Sequence, residues 1–201
     1  MKRKSFLWLV CALFLLTACG EKKEESKAET KEEQQLSDPI ADFTYENQSG
    51  EPFSSKSLDG KVWIANFIFT SCTTVCPPMT SHMAKLQEKA KEEGADVEFV
   101  SFTVDPTVDS SEKLKEFSEG FEANSDNWQF LTGYSQEEIE TFARENFYMN
   151  VQKPSSGDQV IHGTTFFLLN QKGQIVKDYD GVSNVPYADI IHEAKELEKS
   201  S

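Results

Sequence analysis

The segment KVWIANFIF, Lys61 to Phe69, constrains the fold of this chain more than any other. Apart from Lys61 and Asn66, every side chain in it is apolar. A strand of this kind has no face to give to water, so it belongs in the middle of a sheet covered on both sides. A second such run, VEFVSFTV, spans Val97 to Val104. Between the two, Met79, Met83, Leu86 and Ala90 recur at helical spacing, and Gly94 supplies a stop. Strand, helix and strand in this order predict an α/β architecture.

The remaining segments fit that frame. DFTYENQSGEPFS alternates around Asn47-Gln48-Ser49-Gly50 and predicts a short hairpin. SSEKLKEFSEGF reads as a second helix and NWQFL as a short strand. Ser135-Gln136-Glu137-Glu138 is a capping box that opens a helix running to about Phe147. VIHGTTFFLLN and QIVKDYDG read as strands joined through Asn170-Gln171-Lys172-Gly173, and a last amphipathic helix follows Pro186. With 201 residues and 38% hydrophobic content, the chain has room for one core. The expectation is a thioredoxin-like α/β sandwich over residues 38–201, with an N-terminal β-hairpin extension.

The N-terminal 37 residues do not belong to that domain. Lys2, Arg3 and Lys4 precede a short apolar run from Phe6 to Leu16, which ends in Leu16-Thr17-Ala18-Cys19. The run is too short for a bilayer core that needs about 20 residues, and it reads as an export signal. The small residues before Cys19 resemble the lipobox of bacterial lipoproteins, which implies cleavage after residue 18 and a lipid on Cys19. Cys11 lies within the signal. From Gly20 to Ser37 the chain is charged and almost free of large apolar side chains, so residues 19–37 read as a lipidated cysteine and a disordered tether. These features predict an extracytoplasmic protein anchored to the cell membrane by lipid. Loss of residues 1–18 removes three basic side chains and no acidic ones, leaving 17 Lys and Arg against 34 Asp and Glu, a net charge of −17. Such acidity argues against nucleic acid or anionic lipid as a binding surface, since both are polyanions.

The chemistry is concentrated in FTSCTTVCPPMTSH, Phe69 to His82. A residue before proline is steered away from helical geometry, so Pro77 predicts an extended Cys76, and Pro78 suits the first position of the helix. Cys72 and Cys76 are therefore expected on a loop at a helix mouth, where the positive helix end favours thiolate. Three uses compete. A structural disulfide closing so small a loop restrains the unfolded chain little. A thiol-disulfide oxidoreductase or thiol peroxidase suits the fold, but such enzymes place two residues between their cysteines where this chain has Thr73, Thr74 and Val75. A metal site is the third, and two soft thiolates with an imidazole suit copper.

Three histidines are available for such a site. His192 lies in the charged C-terminal helix and reads as solvated. His82 lies beside Met83 on the margin of an apolar stripe, and Met79 and Met83 read as packing. His162 interrupts an apolar run beside Gly163, which allows close approach, and is the strongest candidate, although a half-buried histidine can also be merely structural.

SCTTVCP, FVSFTVDPTVDS and IHGTTFFLLNQKGQI resemble the three signature segments of the Sco family, copper-binding assembly proteins for cytochrome c oxidase. The likeness extends over about residues 38–198. It implies a thioredoxin-like fold, copper as Cu(I) or Cu(II) held by Cys72, Cys76 and His162, and Asp105 as an acidic residue close to the site. It also implies a part in building the dinuclear copper site of cytochrome c oxidase subunit II, as a metallochaperone or as a thiol reductase for the acceptor cysteines. Thiols that cycle need a thiol reductase as a further partner. Thioredoxins place a cis-proline in the segment that here reads Thr164-Thr165.

Overall fold

The computed structural model describes residues 37–157 and 159–200. The predicted signal, Cys11, Cys19 and nearly all of the tether lie outside the described residues. Among those described, no helix is long and apolar enough to cross a membrane.

The chain opens with the expected hairpin, β1 (Thr44–Asn47) and β2 (Pro52–Ser54), closed by a left-handed Gly50. A 3-10 turn at Ser55–Leu58 leads into β3 (Val62–Ile68), all seven residues of which are buried. Then follow α1 (Cys76–Glu93), β4 (Val97–Thr103), α2 (Ser111–Gly120), β5 (Trp128–Thr132), α3 (Gln136–Phe147), β6 (Thr165–Leu169), β7 (Ile175–Asp180) and α4 (Tyr187–Lys199). The strands form a seven-stranded sheet in the order β2-β1-β5-β4-β3-β6-β7. Strands β3, β4 and β5 run parallel, and β3 pairs antiparallel with β6 on its other side. The hairpin extends the sheet through β1 and β5. This is the thioredoxin-like α/β sandwich the sequence predicts.

Its two faces are covered differently. On one, Phe67, Phe102 and Phe167 point at Phe142 and Phe147 of α3, with ring centroids 5.1–5.4 Å apart for Phe67–Phe147, Phe147–Phe167 and Phe102–Phe142. On the other, the alternate residues Asn66 and Ser101 hydrogen-bond at 2.6 Å, and Trp128 Nε1 donates to Ser101 at 2.9 Å. Phe117 of α2 reaches Phe130 on that side. Ser135 caps α3 by accepting from the Glu138 amide at 3.1 Å, and Gly94 ends α1 in left-handed geometry, both as the sequence requires.

Two local expectations are corrected. Helix α1 begins at Cys76 and not at Pro78, so Cys76 is helical and not extended. Its first closing bond is donated by Met79 to the Val75 carbonyl at 3.1 Å. Amides of the first turn have no helical acceptor, so Pro77 and Pro78 forfeit nothing there. Strand β6 starts at Thr165, leaving His162 in the loop before it. Ile161 instead exchanges two backbone hydrogen bonds with Gln152, at 2.9 and 3.0 Å.

Candidate functional site

The parallel strands β3 and β4 end side by side, and the loops leaving them build the site. Val104 donates to the Ile68 carbonyl at 2.8 Å, closing the ladder just before the thiol loop. Asp109 then locks that loop: its carboxylate accepts from Thr70 N at 3.0 Å, Thr70 Oγ1 at 2.6 Å and Thr103 Oγ1 at 2.5 Å, and it is fully buried. A buried carboxylate with three donors is satisfied, and holds its donors in place.

Cys72 and Cys76 are both free thiols, 4% and 0% exposed. The Cys76 amide, at the start of α1, donates to Cys72 Sγ at 3.4 Å, and Thr74 Oγ1 lies 3.7 Å from the same sulfur. Burial opposes ionisation of Cys72, but the hydrogen bonds from Cys76 and Thr74 together outweigh it and hold this thiol below its ordinary value. Cys76 goes the other way. Burial drives its pKa far up, only partly offset by the Phe69 amide, and the Cys72 thiol and the Asp109 charge push in the same direction as burial. The pair is thus one acidic thiol at a helix mouth and one buried thiol held protonated.

The imidazole of His162 completes the cluster. Its Nδ1 lies 2.8 Å from the Gly163 carbonyl, which can only accept, so the proton is on Nδ1 and Nε2 carries the lone pair. Nε2 faces Cys76 Sγ at 3.5 Å. Phe69 meets the ring edge-on, centroids 5.6 Å apart. Burial lowers the pKa of this histidine, against the Gly163 bond, and keeps the ring neutral. A Cβ at Gly163 would come 2.9 Å from Met149 Sδ and 3.3 Å from its Cγ, so a larger residue there would push the methionine side chain aside. On its outer side His162 lines an open groove of about 970 Å³, bounded by Tyr148, Met149, Ile161 and Lys177.

The structure thus brings Cys72, Cys76 and His162 together and separates the other candidates from them. His82 hydrogen-bonds the Tyr187 hydroxyl of α4, His192 is exposed, and Met79 and Met83 are fully buried in the core. Asp105, 1% exposed, accepts from Lys153 Nζ at 2.6 Å and from Thr107 at 3.0 Å. The thiols and Nε2 are soft and borderline donors suited to a copper ion. Among the described residues no three such side chains already form a group that could hold a metal ion, and Cys72 Sγ accepts from the Cys76 amide. Asp109 and Lys153 escaped the sequence reading. The repeat of an aspartate four residues after Asp105 was the available signal for the first.

The model of the SCO1/SenC family matches residues 31–197. Among solved structures, the chain is similar to a SCO1/SenC family lipoprotein from Bacillus anthracis, with 52% identity and a TM-score of 0.78 over 82% of this chain and 98% of that one. It is also similar to BsSco, described as a member of the Sco family of cytochrome c oxidase assembly proteins with a disulfide switch, at 49% identity and a TM-score of 0.75 over 84% and 100% of the two chains. Arabidopsis thaliana ScoI, solved with copper bound, shares 27% identity with a TM-score of 0.67 over 81% and 99%. The chain belongs to the SCO1/SenC family.

Proposed function

We propose that the chain is a lipid-anchored, extracytoplasmic copper-binding protein that assists assembly of the dinuclear copper site of cytochrome c oxidase subunit II. The observation that carries this reading is the neutral imidazole of His162, its Nε2 lone pair 3.5 Å from one of two adjacent thiols. Cys72, Cys76 and His162 would hold the ion, the thiolates satisfying Cu(I) and the imidazole adding the nitrogen donor that Cu(II) prefers. Copper bound in the Arabidopsis relative and the assembly role of BsSco support it.

The unequal thiols favour a second use of the same pair. The Cys72 thiolate would attack a disulfide of the acceptor protein, breaking its S–S bond to form a mixed disulfide and releasing one acceptor thiolate, which can take up the Cys76 proton. Cys76, on losing its proton, would displace the other acceptor thiolate and leave a Cys72–Cys76 disulfide, so that two electrons pass to the acceptor. A thiol reductase must then restore the dithiol. A bound copper would occupy both thiolates, so delivery and reduction should exclude each other at any one moment.

Copper titration of the reduced and oxidised chain tests the reading. Only the dithiol form should bind. His162→Ala should lose the Cu(II)–thiolate absorption while keeping some Cu(I), and His82→Ala should change neither. Equal affinity of both redox forms, or loss of the Cu(II) band in His82→Ala alone, would overturn it. The anchor is tested separately: Cys19→Ser should release or misprocess the protein, and unchanged membrane association would refute lipidation. The lipoprotein from Bacillus anthracis supports that expectation.

A further inference from the structure

His162 lies in the segment between α3 and β6, and the thiols lie in the loop after β3. Something must hold the first against the second if the imidazole is to stay beside Cys76.

Asp105 follows the end of β4, one residue beyond the Val104 amide that closes the ladder with β3. It is therefore in fixed register with the origin of the thiol loop. Lys153 reaches it from the histidine segment: its Nζ donates to Asp105 Oδ1 at 2.6 Å and to Thr107 Oγ1 at 2.5 Å. The backbone of Lys153 is tied as well, its amide donating to Glu140 Oε1 at 2.9 Å. The Gln136 amide group bonds that carboxylate at 3.0 Å and the Val104 carbonyl at 3.1 Å, which returns the network to the end of β4. Next to Lys153, Gln152 is bridged through both backbone bonds to Ile161, the residue before His162. An unbroken line of bonds thus runs from β4 through Asp105, Lys153, Gln152 and Ile161 to the imidazole.

We propose that Lys153 is a positioning residue for the copper site, whose ion pair with Asp105 holds the Gln152–Ile161 bridge and thereby sets His162 against Cys76. This rests on the reading of His162 as a ligand. It also gives Asp105 a role without contact with the metal: the carboxylate acts on the imidazole through the Lys153 ion pair and the Gln152–Ile161 bridge. The Lys153 side chain is 25% exposed and Asp105 only 2%, so the pair is shielded enough to be specific. Breaking it should cost the form of copper that depends on nitrogen and spare the form the two thiolates can hold alone.

The test uses the purified reduced chain with Lys153→Met and with the double variant Asp105→Asn/Lys153→Met, which leaves no orphaned buried charge. Both should bind Cu(II) at least tenfold more weakly while Cu(I) affinity stays within about threefold. In a His162→Ala background, Lys153→Met should weaken Cu(II) no further. In the metal-free chain, the imidazole NMR signal absent from His162→Ala should shift or broaden in both variants while the signals of His82 and His192 stay in place. Parallel losses for both copper states, an additional loss in the His162→Ala background, or a double variant with parental Cu(II) affinity and an unmoved ring would each overturn the proposal. If His162→Ala alone kept full Cu(II) binding, the ligand reading would fail, and the ring signal would still decide whether Lys153 positions the imidazole.

Discussion

Gly181→Ala should damage both the fold and the site, because Gly181 closes on the segment that carries His162. Its amide donates to the Thr164 carbonyl at 2.7 Å, two residues beyond the histidine. A Cβ there would stand 2.7 Å from that carbonyl oxygen and 2.9 and 3.2 Å from two ring carbons of Phe166. Ordinary contacts begin near about 3.5 Å, so the methyl intrudes by several tenths of an ångström on two sides. Neither side yields easily: the oxygen is held by the Gly181 amide and Phe166 is fully buried. Overpacking of this kind costs about 1–3 kcal/mol, and at about 2–4 °C per kcal/mol for a domain of this size Tm should fall by roughly 2–12 °C. Relief by retreat of Thr164 carries His162 with it, so the Cu(II)–thiolate absorption should weaken together with the melt. Gly120→Ala is the control, since a Cβ there meets nothing and its φ is not positive; it should be neutral or stabilising by about 0.4–1 kcal/mol. Thermal unfolding of the reduced, metal-free variants, followed by circular dichroism, gives the comparison. A Gly181→Ala protein melting at or above the parent would refute the claim that this turn clamps the histidine segment.

The two thiols should differ in reactivity. With iodoacetamide at neutral pH, peptide mass spectrometry should find Cys72 modified well before Cys76, because hydrogen bonds lower the first thiol and burial raises the second; equal rates would contradict the assignment. In Asp109→Asn, which removes a charge opposing ionisation of Cys76, that thiol should react faster, and loss of a buried charged acceptor should cost about 1.5–3 kcal/mol in the melt. Stability should fall on the alkaline side, because Cys76 and Tyr134 both have raised pKa values in the fold. The stability tied to each is complete below its unfolded pKa and is lost as pH rises above it, from about 8.5 for the thiol and about 10 for the phenol, at about 1.4 kcal/mol per pH unit and group. Urea titrations across this range should show the decline, and Tyr134→Phe should flatten its upper part; an unchanged slope would remove Tyr134 from the account.

What could be read from the sequence were the features encoded by neighbours along the chain. The run from Val62 to Ile68 announced a strand buried on both faces, Ser135 announced its helix, and Asn170 to Gly173 announced a turn, which closes with Gly173 left-handed. The thiols were legible because their residue types carry the chemistry whatever surrounds them. The start of α1 was misread because proline disfavours a preceding helical residue on average, whereas first-turn amides need no acceptor. The start of β6 was misread because Val160 and Ile161 look like strand, yet their neighbourhood is decided by Gln152, far enough away that no local pattern records it. The same holds for the supporting groups. Asp109 reaches Thr70 across 39 positions and Lys153 reaches Asp105 across 48, and a polar side chain at such a distance looks like any other surface charge until the sheet brings the loops together.

The proton inventory of the site links its geometry to the proposed exchange of copper. In the metal-free fold Cys76 keeps its proton and the neutral His162 presents Nε2 to that sulfur. The imidazole lone pair therefore has two competing uses: it can accept a hydrogen bond from the protonated Cys76 thiol, or it can be given to a metal. It cannot do both, so filling the site would displace the Cys76 proton to solvent. Cys72, already the more acidic thiol, would engage the ion first, at the cost of the hydrogen bonds that turn it toward the helix start. Occupation should then weaken as pH falls, because protons compete for the Cys76 sulfur and for Nε2 at once. An acceptor site that offers thiolates with less proton competition would take the ion down that gradient, with the protein returned to the same protonated Cys76 and neutral imidazole from which it began.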